Sequence, residues 1–259
     1  DACYLPDNPF IHIPAGRFTM GSDEKKDPQA YGDEQPQHEV DLGEYYIARY
    51  PVTVAQFRVF VEQSGYKPQD PDSLRGLPNH PVVDVTWYDA LAYCDWLTAQ
   101  LPKLPNLPAE LCRGWRVTLP SEAEWERAAR GTDGWIYPWG DQFDPDKANT
   151  DVTGIRGTSA IGCFPAGASP CGALDMSGNV WEWTRSLWGK DSGKPEFVYP
   201  YSERLQEREN LKAGSGIQRV LRGGSWDYGS RNARCAYRCR NNPDNWYYSR
   251  GFRVSLSPL

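Results

Sequence analysis

No apolar run in this chain approaches the roughly 20 residues needed to cross a bilayer, so the sequence holds no membrane-spanning helix. A secretory leader pattern is missing too, and so is an initiator Met. The opening Asp1-Ala2-Cys3 reads as a processed or excised piece of something longer, fused to or anchored by further segments; Asp1 fits poorly beside Cys3 as a lipid-anchor site. Histidine is scarce. His12, His38 and His80 are the only three, scattered through the N-terminal third, and that spacing excludes a sequence-local histidine metal centre. The seven cysteines contain no C-x-x-C pair, which argues against zinc, and their odd number leaves at least one thiol unpaired within the chain. Cys163 and Cys171 flank a Pro/Gly turn that suits either a local disulfide or two reduced thiols, so the redox compartment stays open. Basic charge is also in deficit. With 28 Lys and Arg against 34 Asp and Glu, the net charge is -6, and no nucleic-acid partner is expected, since phosphate affinity comes from cations.

What is present describes a globular chain of 259 residues with material for a large core. Aromatic residues make up 13%, including 11 Trp, while 24 Gly and 22 Pro commit much of the backbone to turns. Alternating apolar positions predict one or two strands over 10–20 and a strand over 40–47, separated by a polar loop from Ser22 to Gln37. Thr53 caps a helix running to about Gln63, with Val54, Phe57, Phe60 and Val61 on its apolar side and Gly65 past its end. Thr86 caps a second, from Trp87 to about Ala99, and Asp89 suits its N-terminus. Ser121 and Glu124 form an S-x-x-E capping box for a short third helix that ends at Gly131. The Pro-rich run Leu101 to Pro108 is a connection within one fold. The expectation is a single α+β domain over 1–259, rich in loops, with few helices and short antiparallel strands.

One stretch differs from the rest. From Gly223 to Arg250 there is no Lys, Glu, Gln or Met, although the remainder of the chain uses all four. It is flanked by strand-like runs at Val220-Leu221 and Phe252-Arg253-Val254. In between lie Asp227, Tyr228, Ser230, Asn232, Tyr237, Cys239, Asn241, Asn242, Asp244, Asn245, Trp246, Tyr247, Tyr248 and Ser249. Apart from Trp246, each of these residue types is reached from an Asn codon by replacing adenines alone. The same types make good binding surfaces, because Tyr and Trp give rigid amphipathic area and Ser and Asn give adaptable hydrogen bonds. The plainer reading is a solvated Asn/Gly-rich loop. Against it stands the aromatic content of the stretch.

Eight segments, in order, then resemble the sulfatase-modifying-factor family, the formylglycine-generating enzymes and their relatives. They are FTMGS (18–22), PVTVAQF (51–57), PVVDVTWYDALAYCDWL (81–97), RVTLPSEAEWERAARG (116–131), YPWGD (137–141), GALDMSGNVWEWT (172–184), RVLRGGSW (219–226) and GFRV (251–254). The resemblance implies a C-type lectin-like fold of the formylglycine-generating subtype. In the family's oxidases a C-x4-C pair after the RGGS[YW] turn holds Cu(I) and engages a substrate cysteine. Here that interval, Asp227 to Ala233, has no Cys; Cys235 and Cys239 form a displaced C-x3-C pair, and no copper is expected. The family's calcium site maps onto Asp175, Gly178, Val180 and Glu182, an oxygen set that suits structural Ca²⁺. The competing reading has the same Asp and Glu anchoring the turn through hydrogen bonds. A second calcium site, at Asn149, is incomplete in the shortened loop over 154–158.

Members of this fold that lack the copper pair and carry such an Asn-codon signature resemble the variable proteins of diversity-generating retroelements. That implies a non-enzymatic, variable receptor-like protein, displayed at a bacterial or phage surface and binding an unknown protein or glycan. The alternative is a copper-dependent formylglycine-generating oxidase. A domain regulating a fused partner is a third.

Overall fold

The computed structural model describes residues 10–103, 111, 114–201 and 205–258. Cys3 and the Pro-rich residues 104–108 lie outside the described residues. Strands β1 (Phe10–Ile13) and β2 (Gly16–Met20) divide the first predicted run. The expected strand over 40–47 is likewise two, β3 (His38–Leu42) and β4 (Tyr45–Ala48), which serve different sheets: β3 pairs with β2, while β4 pairs with β1. The chain must turn at Gly43 to change partners, and a continuous apolar pattern does not reveal such a change.

Helices α1 (Val54–Ser64), α2 (Trp87–Gln100) and α3 (Glu122–Arg130) begin where the caps predict. In each, the cap hydroxyl accepts from the backbone N–H three residues on, and that residue's side-chain oxygen accepts in return from the cap amide N–H. Gly65 ends α1 in the left-handed region that glycine adopts without a Cβ clash. Helices α1 and α2 pack Phe57, Phe60, Trp87, Tyr93 and Leu97 into the largest apolar cluster, with Phe252 and Trp183 across it. No helix among the described residues is long and apolar enough to cross a membrane.

Two four-stranded sheets complete the framework. In the first, β10 (Ser255–Pro258) lies between β4 and β5 (Trp115–Thr118), giving the order β1-β4-β10-β5, all antiparallel. The second has the order β8-β7-β6-β9, formed by β6 (Trp181–Gly189), β7 (Gln218–Arg222), β8 (Cys239–Asn241) and β9 (Arg250–Gly251). In it β9 runs parallel to β6. Phe252 to Val254, expected as strand, is instead the irregular link between β9 and β10. Its carbonyls still work as ladder acceptors: Phe252 O accepts from Val52 N–H at 2.9 Å and Val254 O from Ala48 N–H at 2.8 Å. The whole segment from β7 to β10 thus starts in one sheet and finishes in the other.

Candidate functional site

Helix α3 is the key to how that segment is held. All nine of its residues are buried, including Glu122, Glu126, Arg127 and Arg130. Buried carboxylates need partners, and the arginines of the C-terminal stretch supply them. Glu122 accepts from Arg238 Nε at 2.5 Å and Nη2 at 3.1 Å, and from Arg222 Nη1 at 3.3 Å. Glu126 takes Arg222 Nη2 on one oxygen, and on the other Arg130 at 2.8 Å and the Gly21 amide at 2.7 Å. Arg234 reaches the N-terminal loop, forking onto Glu34 at 2.6 and 2.7 Å and onto Asp27 at 2.7 Å. At Gly223 and Gly224 the backbone turns with φ of 96° and 76°. A Cβ on Gly224 would stand 3.0 Å from Asn232 O, so only glycine lets the loop close.

Between these fixed points lie the side chains that face outward. Tyr228 is 41% exposed, Trp246 39%, Tyr247 41% and Tyr248 44%, and Asp244 and Asn245 are exposed as well. Asp227, Ser230, Asn232, Asn241 and Asn242 are half-buried at their margins. The rings form two connected runs. Trp226, Tyr248 and Tyr247 follow one another at centroid separations of 5.5 and 4.1 Å. Tyr228 and Tyr237 lie against the two sides of Trp181, at 5.3 and 5.7 Å. The Asn241 side chain accepts from Asn245 Nδ2 and from the Asn242 amide, both at 2.8 Å, which ties the turn down. Asp84 N–H donates to Tyr247 O at 3.2 Å and Trp87 N–H to Pro243 O at 3.0 Å. These two bonds lash the loop to the start of α2, and Asp244, Asn245 and Trp246 form one wall of an open cleft opposite Tyr66, Lys67, Gln69 and Tyr88.

Three expected surface residues differ. Ser249 is fully buried, and its carbonyl accepts from Trp181 N–H at 2.8 Å, so it belongs to the frame and not to the surface. Its position in the turn entering β9 decides this, which no residue preference encodes. Cys239 packs against the large apolar cluster, and burial raises its thiol pKa. Tyr237 packs there too, and burial pushes it up to about 12. It is a buttress with one exposed edge. Two contributors had no signal in the sequence. Tyr31, from the loop read as a plain connection, is 39% exposed and stands edge-on to Tyr237 at 5.5 Å, with the Arg231 guanidinium 3.8 Å over its ring. Trp181 supplies the floor beneath Tyr228 and Tyr237 from β6.

The turn expected to hold Ca²⁺ is assembled, but its donors do not fit a divalent cation. Glu182 lies at 0% exposure with Arg253 across both oxygens, at 2.6 and 2.7 Å, and Trp125 Nε1 at 2.6 Å. A cation on that carboxylate would lie beside a buried guanidinium and be repelled by it. Asp175 accepts from the Gly162 amide at 2.7 Å and from Asn179 at 3.4 Å, and burial raises its pKa, which disfavours the ionised form a ligand requires. Gly178 and Val180 remain as turn and core residues. Among the described residues no group of three or more His, Cys, Asp or Glu is placed to hold a metal. Asn149 Nδ2 donates to Gly157 O and Ser159 Oγ. Excess chelator should therefore leave the melting temperature unchanged; a drop would show that a bound cation holds this turn.

Cys235 packs with Trp125 and Met176 in one apolar cluster while Cys239 packs against another, and burial pushes Cys235 up to about 12. Cys163 and Cys171 are free. The three histidines are dispersed, bonded to Glu44, to Pro36 O and Tyr201 N–H, and to Thr158 respectively.

Residues 4–257 match the sulfatase-modifying factor enzyme 1-like domain. The chain belongs to that family. Within the sulfatase-modifying factor family it is 29% identical to the formylglycine-generating enzyme of Bos taurus, over 98% of this chain and 76% of the enzyme. It is 33% identical to the hercynine oxygenase of Mycolicibacterium thermoresistibile, over 92% of this chain but only 56% of that protein. A solved structure, Treponema denticola variable protein 1, superposes with a TM-score of 0.69 at 22% identity, covering 96% of this chain and 95% of the other. The fold is accordingly the family's α+β variant of the C-type lectin-like fold.

Proposed function

We propose that this member of the family is a non-enzymatic ligand-binding protein whose C-terminal segment displays a variable surface to a protein or glycan. One observation carries the reading. Between Arg222 and Arg253 the side chains separate into a buried set (Arg222, Arg234, Cys235, Arg238 and Phe252) and an exposed set (Tyr228, Asp244, Asn245, Trp246, Tyr247 and Tyr248). The buried set is anchored to helices and loops elsewhere in the chain, so the exposed set is free to change without altering the backbone. Apart from Trp246, the exposed set consists of the types that adenine replacement in an Asn codon produces. The genomic neighbourhood tests this: a reverse transcriptase should adjoin a near-copy of the codons for 227–250 that differs at adenines. Differences unrelated to adenine would remove the diversification reading.

The oxidase reading draws support from the named enzymes in the family. It lacks its thiol pair, and a cysteine binds Cu(I) as the thiolate, which burial opposes at both Cys235 and Cys239. Titration with Cu(I) should therefore find no tight stoichiometric site. Tight binding lost on Cys235→Ser would restore the oxidase.

A further inference from the structure

The arginines of the C-terminal stretch are nearly all satisfied by the protein. Arg222, Arg234, Arg238 and Arg253 have carboxylates, and Arg231 donates to Gln29 O at 2.9 Å. Arg250 does not follow them. It pairs alongside Trp181 across β9 and β6, its amide donates to Tyr247 O at 3.0 Å, and it is half-buried. Yet among the described residues its guanidinium has no hydrogen-bond acceptor and no ion-pair partner. It lies over the Tyr247 ring, 5.0 Å from the guanidinium carbon to the centroid.

The surroundings explain why no internal partner reaches it. The ionisable groups whose fields act most strongly on Arg250 are Cys239, Tyr228, Tyr247 and Asp227. Burial raises the pKa of both Cys239 and Tyr228, which keeps them neutral. Asp227, the carboxylate among them, accepts from Ser225 Oγ at 2.6 Å. Arg240 also lacks an acceptor, but it lies over Trp188, on the face of β8 opposite Cys239. Arg250, by contrast, lies over the displayed Tyr247 ring.

A guanidinium that has lost part of its water and gained no acceptor is a poorly compensated cation. An anion would restore the lost hydrogen bonds, and a planar, two-oxygen group matches the fork. We propose that Arg250 is an anion-binding anchor within the displayed surface, pairing bidentately with a carboxylate or phosphate group of the ligand between Tyr228 and Tyr247. This rests on reading the surface as a ligand-binding one, and it states what chemistry that ligand carries.

The test uses the whole chain and follows the arginine Nε–H resonances by NMR during separate titrations with acetate and with inorganic phosphate. The Arg250 signal should shift saturably. A response to phosphate alone would assign a phosphorylated ligand, and a response to both a carboxylate-bearing one. The variant R250Q should abolish the saturable response. R250K, which keeps the charge but loses the fork, should weaken it, and both should melt with the parent because no native acceptor is lost. An Arg250 resonance unmoved by either anion, or binding unchanged in R250Q, would overturn the proposal. The codon comparison that tests the display reading does not depend on this result, so the two can fail separately.

Discussion

Glu122→Gln is expected to destabilise the fold by about 3–5 kcal/mol, the cost of breaking a buried ion pair from one side. Glu122 at 0% exposure faces Arg238, Arg222 and Arg208, and a neutral amide would leave three guanidinium groups without that carboxylate. Urea unfolding of the parent and variant measures the difference; a loss under about 1 kcal/mol would mean the pairs are solvated like surface bridges. The same carboxylate sets an acid limit. Burial by itself raises its pKa, but Arg238, Arg222 and Arg208 outweigh burial and hold it below the usual carboxylate range. Because the folded pKa lies below the unfolded one, the contribution is complete above the unfolded pKa and lost as pH falls through the folded pKa. This part of the stability should thus begin to fall as pH drops into the ordinary glutamate range and be exhausted below the folded pKa. In Glu122→Gln that part of the acid dependence should vanish.

Phe252→Ala should cost about 3–5 kcal/mol, whereas Tyr247→Ser and Tyr248→Ser should each stay within about 0.5 kcal/mol. Phe252 is fully buried against Phe57 and Tyr93, at centroid separations of 6.3 and 5.4 Å, while among the described residues the two tyrosines have only each other, Trp226 and Arg250 as ring partners. Tyr237→Ser should fall between, because one side of that ring rests on Trp181 and the large cluster. Thermal melting of the four variants orders them. If Tyr247 and Tyr248 cost as much as Phe252, they are core residues and the displayed surface loses its physical basis.

Local chemistry made the helices legible. Thr53, Thr86 and Ser121 each carry a hydroxyl that can accept a bond three residues ahead, followed by Gln56, Asp89 or Glu124 that returns it, and such pairs depend on nothing distant. The odd composition of 223–250 was likewise visible without coordinates. So was the absence of a cysteine pair where the family's oxidases need one. Other features were out of reach because they depend on pairings across long stretches of chain. Glu122, Glu126 and Arg130 look like the polar face of a surface helix until Arg222 and Arg238, about a hundred residues on, turn that face into core. Nor does its residue type reveal that Trp226 is only half-buried, its ring tilted against that of Tyr248.

The sequence by itself determined the caps of α1, α2 and α3, the family, and the stretch of chain that carries the surface, since each is written in adjacent residues. Only the tertiary structure decided which members of that stretch face water. It turned Ser249 inward, committed Glu182 to Arg253, brought Tyr31 beside Tyr237 and left Arg250 without an acceptor. A residue type sets what a side chain can bond, but its partners are set by where distant segments meet.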